Sequence, residues 1–428
     1  MVNIRRMKDN RDKFIELRKQ YPLFEFHDFE VEKDCEDLVM RFDFRVGKDI
    51  RFVPQMRLNA GVYACDVDVS ELEGLVFHIG LIELISYWKS VCSPKILVRR
   101  FSLDEEQQKW WKKLYYKGLG EFFYQNGLNP SKDDFVDFVF EENACPASDL
   151  RYSHVADDGR VIVPIGGGKD SVVTLEELRR EKRIVPFIIN PRGATLECAR
   201  IAGFPKLEEI VVLKRQIAPE LLELNAQGYL NGHTPFSAML AFYTLLVSRV
   251  IGVRPIALSN ESSANEPTIP GTEINHQYSK SFEFEQDFRR YVSLFMNDCS
   301  DYYSYLRPLT ELQIAERFSK HGQYFHVFKS CNAGSKEDKW CCHCSKCLFA
   351  YIILSPFIPD EKMIEIFGAD LLNQEDMLGY FDELTGIAEN KPFECVGTVD
   401  EVREAIRRII PTRADKLLIR HYIEKMQK

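Results

Sequence analysis

From Arg160 onward the chain repeats one pattern. A short β-branched run is followed by about ten to twenty residues at helical spacing, and then by another such run. RVIVPI, IVPFIIN, EEIVVLK and RPIALS read as strands. VVTLEELRR, ATLECARIAG and PELLELNAQ separate them, and a longer interval precedes the last. Strands alternating with helices pair in parallel through crossovers, so the pattern predicts an α/β protein with a doubly wound parallel sheet. GQYFHVFK, from Gly322, is the expected fifth strand.

The first junction carries the chemistry. VIVPI runs directly into Gly166, Gly167, Gly168, Lys169, Asp170 and Ser171, and then into a helix. Glycines between strand and helix leave backbone N–H groups free at the positive end of the helix dipole, where an anion binds. The G-x-x-x-x-G-K-[ST] loop does not fit, because Val163 and Asp170 stand where glycine and Ser/Thr are needed; nor does G-x-G-x-x-G. The plain alternative is a tight turn in which Asp170 caps the helix.

Before Arg160 the chain has a different character. FEFHDFEVE, LVMRFDFRV, IRFVPQMRL and KILVRRF read as strands, and residues from Val69 to about Ser90 and from Asp104 to about Asn126 read as helices. The polar segment 141–160 is the expected boundary. This gives an α+β unit over 1–150, the α/β unit over 151–354 and a mostly helical region over 355–428. A formal net charge of −9 with scattered Lys and Arg argues against a nucleic-acid partner. The apolar run 235–253 carries Arg249 and reads as a buried helix rather than a membrane span; with a charged N-terminus lacking an apolar signal core, a cytoplasmic protein is expected. Oligomeric state is not legible.

Cys331, Cys341, Cys344 and Cys347 are spaced C-x9-C-x2-C-x2-C. Four thiolates close a tetrahedral shell around Zn2+, which makes the expected site structural; Cys342 and His343 compete as ligands. Asn260, Glu261, Asn265 and Glu266 follow the fourth strand, where ligands of open sheets collect, and are candidates for Mg2+ or substrate. His276 and Lys280 share one face if their segment is helical, as an acid–base pair would. NGHT, residues 231–234, precedes the apolar run and reads as a cap of that helix, with His233 structural rather than catalytic.

The glycine loop resembles the S-G-G-x-D-S loop of the PP-loop (HUP-like) ATP pyrophosphatases, with glycine for the opening serine. Longer stretches, ISYWKSVCSPKI, YYKGLGEFFYQNGL, GGGKDSVVTLE, SNESSANE, INHQYSKSFEFE and KPFECVG, resemble the UDP-N-acetylmuramoyl-L-alanyl-L-glutamate epimerases (MurL-like) of peptidoglycan synthesis. That resemblance implies inversion of the terminal L-Glu of UDP-MurNAc-L-Ala-L-Glu through an acyl adenylate, with ATP going to AMP and pyrophosphate. The implied roles are phosphate binding by residues 166–171, Mg2+ on Asp170 and proton transfer by His276, Lys280 or Glu261. Trp88, Lys89 and the GLGEFFYQNGL helix, residues 118–128, are candidates for holding the UDP-sugar. Two rival readings stand beside it: another PP-loop adenylating enzyme, such as a 7-cyano-7-deazaguanine synthase or a tRNA-modifying enzyme, which the cysteine spacing favours, and a non-catalytic nucleotide-binding protein.

Overall fold

The computed structural model describes residues 8–147, 158–269, 271–296, 300–334 and 337–427. Residues 148–157 of the expected boundary segment lie outside that set. Among the described residues thirteen strands form in chain order: β1 (Leu23–Asp34), β2 (Asp37–Val46), β3 (Ile50–Phe52), β4 (Gln55–Asn59), β5 (Lys95–Val98), β6 (Phe101–Ser102), β7 (Asp137–Phe140), β8 (Cys145–Pro146), β9 (Arg160–Pro164), β10 (Arg183–Ile189), β11 (Val211–Gln216), β12 (Pro255–Leu258) and β13 (Asp301–Ser304).

Eleven of them make one mixed, mostly parallel sheet in the order β13-β12-β9-β10-β11-β4-β2-β1-β5-β7, with β3 on β2. β9 to β13 pair with one another in parallel, as the alternation predicts. The first crossovers run outward from β9 through β10 to β11; the chain then returns to place β12 on the other side of β9. That reversal is a topological switch point, and the glycine loop leaves β9 beside it.

The fifth parallel strand is β13, not GQYFHVFK. Residues Gly322–Tyr324 instead form a 3-10 turn. The buried rings of Phe325 and Phe328 pack on Phe318 at 5.6 and 4.6 Å, so this aromatic-rich run sits on the core in a turned rather than extended form. The IRFVPQMRL stretch is likewise two strands, β3 and β4, divided at Val53 and Pro54. Proline, which lacks an N–H, cannot extend a ladder there.

Both faces of the parallel strands are covered. Ile162, Val185, Phe187, Val211 and Leu213 face a core that includes the helices Glu73–Trp88 and Phe236–Ile251. Val161, Val163, Ile184, Ile188 and Val212 face the opposite core, which includes the helices Lys169–Leu178, Glu311–Ser319 and Ser345–Leu354. The alternation along each strand is that of a sheet buried on both sides. The C-terminal region is mostly helical and joins the second core through Leu384, Ile406 and Ile419. Among the described residues no helix is long and apolar enough to cross a membrane, and the apolar run forms the buried 16-residue helix Phe236–Ile251.

β4 runs antiparallel to β11 from Asn59↔Val212 to Gln55↔Gln216, so one sheet continues across the boundary expected at 141–160. A buried ion pair crosses this seam. Arg215 Nε donates to Glu83 at 2.5 Å, and Glu83 is fully buried on the helix Glu73–Trp88. Burial opposes the Arg215 charge, but Glu83 holds it and the net effect raises the Arg215 pKa. Removing one partner strands the other charge. Glu83→Gln is therefore expected to cost about 3 kcal/mol or more in urea unfolding; a loss under about 1 kcal/mol would show that the seam does not depend on this pair.

Candidate active site

The turn after β9 is built from backbone. Gly167 has φ +82° and its carbonyl accepts from Lys329 N at 2.8 Å; a Cβ there would lie 3.1 Å from the backbone of Ala194 and Thr195. Only glycine suits that conformation and that approach. A Cβ on Gly166 would meet nothing within 4 Å, so the turn is open on that side. The helix Lys169–Leu178 begins at Gly168 with no side-chain cap, which disposes of Asp170 as the cap. Ser171 turns back, its hydroxyl donating to Gly168 O at 3.0 Å.

Lys169 is buried and does not reach outward. Its Nζ lies 2.5 Å from Asp170 Oδ1 and 2.5 Å from Glu311 Oε2. Burial disfavours the ammonium, but the two carboxylates outweigh it and raise the Lys169 pKa. Glu311, at the start of the helix Glu311–Ser319, is raised by its own burial and by the nearby Asp170 and Glu261, against the pull of Lys169. The Asp170 carboxylate keeps a third of its surface exposed and is the member of this group that a ligand can reach.

The loop after β12 closes the other side. Glu261 is buried and its pKa is raised, first by burial and then by Asp170, while Lys280 and Lys169 oppose this. Arg307 ties the two segments, donating to Glu261 O at 2.8 Å and Lys280 O at 2.6 Å. His276 and Lys280 do not share an α-helical face, because Tyr278–Lys280 is a 3-10 turn ahead of the helix Phe282–Phe295. They nevertheless converge, since both lie against Cys395. Of the other candidates, Asn260 is held by Ser304 at 3.1 Å, Asn265 Oδ1 accepts from Phe282 N at 2.8 Å, and Glu266 pairs with Lys391.

Glu311 and Cys395 were not among the expected site residues, and Glu121 belongs to the 118–128 stretch expected to face the UDP-sugar rather than this cluster. Glu121, on the short helix Gly120–Gln125, binds Nδ1 of His276 and lies 3.3 Å from Nδ1 of His233. The two imidazoles stand 4.5 Å apart. Burial and the neighbouring His276 lower His233 to about 3, so it is neutral and structural, but it does not cap the helix that starts after Pro235. Cys395 arrives on the strap between the helices Leu378–Thr385 and Val399–Arg413. That strap is pinned over the site by Gln277 on Val396 O at 3.1 Å and by Asn332 on Glu394 at 2.8 Å. Trp88 is fully buried, with its indole on Ser93 O at 2.9 Å, and Lys89 is buried on Thr234 Oγ1 at 2.6 Å; neither offers a surface to a sugar.

The four predicted metal-binding sulfurs converge, every pair within 4.8 Å. Cys341 and Cys344 lie 3.7 and 3.5 Å from Cys347, close to the roughly 3.8 Å edge of a tetrahedron with Zn–S bonds of about 2.3 Å. Backbone N–H groups of Gly334 and Cys341 point at Cys331 Sγ. The competing ligands drop out: Cys342 turns to Phe367 O at 3.2 Å, and His343 pairs with Asp376 at 2.8 Å. The sulfur tetrad therefore fits a structural zinc. It sits just beyond Lys329, whose backbone N–H braces Gly167 O at 2.8 Å.

These features define an α/β protein with an uncapped glycine turn at a switch point of its sheet and a reachable carboxylate beside it. Comparison with known proteins gives the family. Residues 16–305 match the MurL N-terminal domain and residues 327–428 the MurL C-terminal domain, so the chain belongs to the MurL family. A relative from Xanthomonas oryzae pv. oryzae is 38% identical over 81% of this chain and 77% of its own length. Others from Micromonospora sp. and Salinispora tropica are 35% and 36% identical, each over 78% of this chain and 74% and 73% of their own lengths. All three are named UDP-N-acetyl-alpha-D-muramoyl-L-alanyl-L-glutamate epimerase.

Proposed function

We propose that this protein inverts the α-carbon of the terminal glutamate of UDP-MurNAc-L-Ala-L-Glu, after adenylating its carboxylate with ATP and releasing pyrophosphate and AMP. The epimerase reading rests on the family and on the names of its relatives. The ATP step rests on one observation, the uncapped, PP-loop-like turn 166–168 with Asp170 facing outward beside it.

A free carboxylate makes its α-hydrogen very poorly acidic, because removing the proton stacks negative charge on negative charge. An acyl adenylate removes the carboxylate charge, which is the chemical reason for ATP. The backbone of Gly166, Gly167 and Gly168 receives the phosphates. Asp170 would hold Mg2+, a hard cation that suits carboxylate oxygen and neutralises the departing pyrophosphate. Lys169 keeps the Asp170 carboxylate oriented, and Glu311 fixes Lys169. Proton removal and return fall to His276, Lys280 and Glu261, which gather on the far side of the same cluster. The N-terminal unit is left to hold the UDP-sugar, through surfaces other than Trp88.

The deciding experiment incubates protein, Mg2+, ATP and UDP-MurNAc-L-Ala-L-Glu, then measures AMP and the chirality of the hydrolysed glutamate. D-Glu formed in step with AMP is the expected result. AMP formed only with a deazaguanine precursor would favour the rival adenylating enzymes, and ATP binding without AMP would favour a nucleotide sensor.

A further inference from the structure

One constellation at the site has an order of contacts that proton transfer alone does not need. Cys395 Sγ lies 3.7 Å from Nε2 of His276, whose Nδ1 is bonded to Glu121. Glu121 is itself fixed by Gln125, at 2.6 Å. Thiol, imidazole and orienting carboxylate thus follow one another in contact, each from a separate part of the chain. That is the arrangement that activates a nucleophile.

The surroundings agree. Cys92 and Cys198 are ordinary buried thiols, pushed up by burial, Cys198 to about 12. Cys395 moves the other way: burial opposes its charge, but Lys280, Lys346 and His276 outweigh it and hold the thiol well below its usual range. His276, despite its own burial, is raised to about 10 by Cys395 and Glu121. Each group favours the charged form of the other, so the contact disposes the pair toward thiolate and imidazolium. A thiol this acidic is a weak proton abstractor but remains a nucleophile and a good leaving group. The 3.7 Å gap also leaves no room for an α-carbon between Sγ and Nε2, so the two cannot be proton carriers on opposite faces of a substrate held between them. Lys280, which lies against Cys395, also faces Asp170 and Glu261, which puts the thiol in the same cluster as the glycine turn.

We infer that Cys395, oriented through His276 and Glu121, is a catalytic nucleophile that takes the activated glutamyl group as a thioester, an inference that rests on the adenylating reading above. Sγ bonds to the acyl carbon while the bond from that carbon to the phosphate oxygen breaks, and AMP leaves with the electron pair. No proton moves in this step, because His276 already holds it. The α-hydrogen of a thioester is more acidic than that of a carboxylate, so inversion takes place at this stage. Water then adds to the acyl carbon, Cys395 leaves as thiolate, the glutamate is released as its carboxylate, and the two protons of the water pass to solvent.

The test is a rapid acid quench of the full chain turning over ATP, Mg2+ and UDP-MurNAc-L-Ala-L-Glu, followed by peptide mass mapping. The expected adduct is the substrate less one water on the peptide carrying Cys395, cleaved by hydroxylamine to the hydroxamate. Cys395→Ala and Cys395→Ser are expected to lose epimerisation by at least about 10³-fold while still releasing pyrophosphate. Wild-type protein that epimerises and releases pyrophosphate with no adduct on Cys395 overturns the nucleophile and leaves adenylation standing. So does a Cys395→Ala protein that epimerises within about threefold of wild type. Failure of the wild type to release pyrophosphate overturns both.

Discussion

Asp170→Asn is expected to leave the protein folded and to reduce AMP and pyrophosphate formation by at least about 10²-fold, the usual scale for deleting one group that stabilises developing charge. The substitution keeps the side-chain shape, and Lys169 keeps its second partner, Glu311, at 2.5 Å, so no buried charge is stranded. What is lost is the reachable anionic oxygen beside the glycine turn. The loss is expected in the chemical step, with a smaller change in nucleotide affinity, because the backbone amides of residues 166–168 remain. A melting temperature close to wild type, together with near-zero AMP at saturating ATP and Mg2+, is the signature. Full activity in this variant would remove the carboxylate from the reaction and with it the reason to place pyrophosphate at this turn. Glu311→Gln is the instructive companion, since it leaves Lys169 with Asp170 alone and draws that carboxylate inward.

The parallel strands and the glycine turn were legible because both are local. A β-branched run ending in three glycines and an uncapped helix needs no distant partner to be recognised, and the switch point follows from the crossovers. β13 was not legible. DYYS is four residues long, has no Val or Ile, and becomes a strand only because β12 offers it an edge. GQYFHVFK failed in the opposite direction: its composition favours a strand, but Tyr324, Phe325 and Phe328 all need the same core, and only a turned backbone delivers them.

The site shows the same division. Asp170 could be read from its own loop, whereas Glu311 looks like an ordinary first-turn residue of a helix capped by Thr310 and Gln313. Its partner Lys169 is 142 residues away. Cys395 meets His276 across 119 residues and Glu121 meets it across 155, so no spacing rule connects them. Only the KPFECVG stretch, quoted for resemblance, pointed to that part of the chain. His276 and Lys280 come together at Cys395, but helical spacing does not bring them there.

Cys347→Ser is the variant expected to cost the most stability. Cys347 is fully buried in the first turn of the helix Ser345–Leu354, with Cys344 and Cys341 sulfurs 3.5 and 3.7 Å away. A serine hydroxyl is a poor zinc ligand, and without the ion three thiols are left to crowd a polar hole inside the second core. Folding free energy that zinc binding supplies is then lost, a penalty of more than about 3 kcal/mol. The damage is expected to reach the reaction, because the segment ending at Cys331 carries Lys329, whose N–H fixes Gly167 O at 2.8 Å. Elemental analysis should find one zinc per chain in the wild type and almost none in the variant, with thermal unfolding shifted down and AMP formation reduced in parallel. Cys342→Ser separates this from a general sensitivity of the cluster: its sulfur faces Phe367 O rather than the other four, so zinc should be retained. A wild-type protein that carries no zinc, and whose melting is unmoved by a chelator, would make the tetrad a packed group of thiols and the bracing of the glycine turn a matter of hydrogen bonds alone.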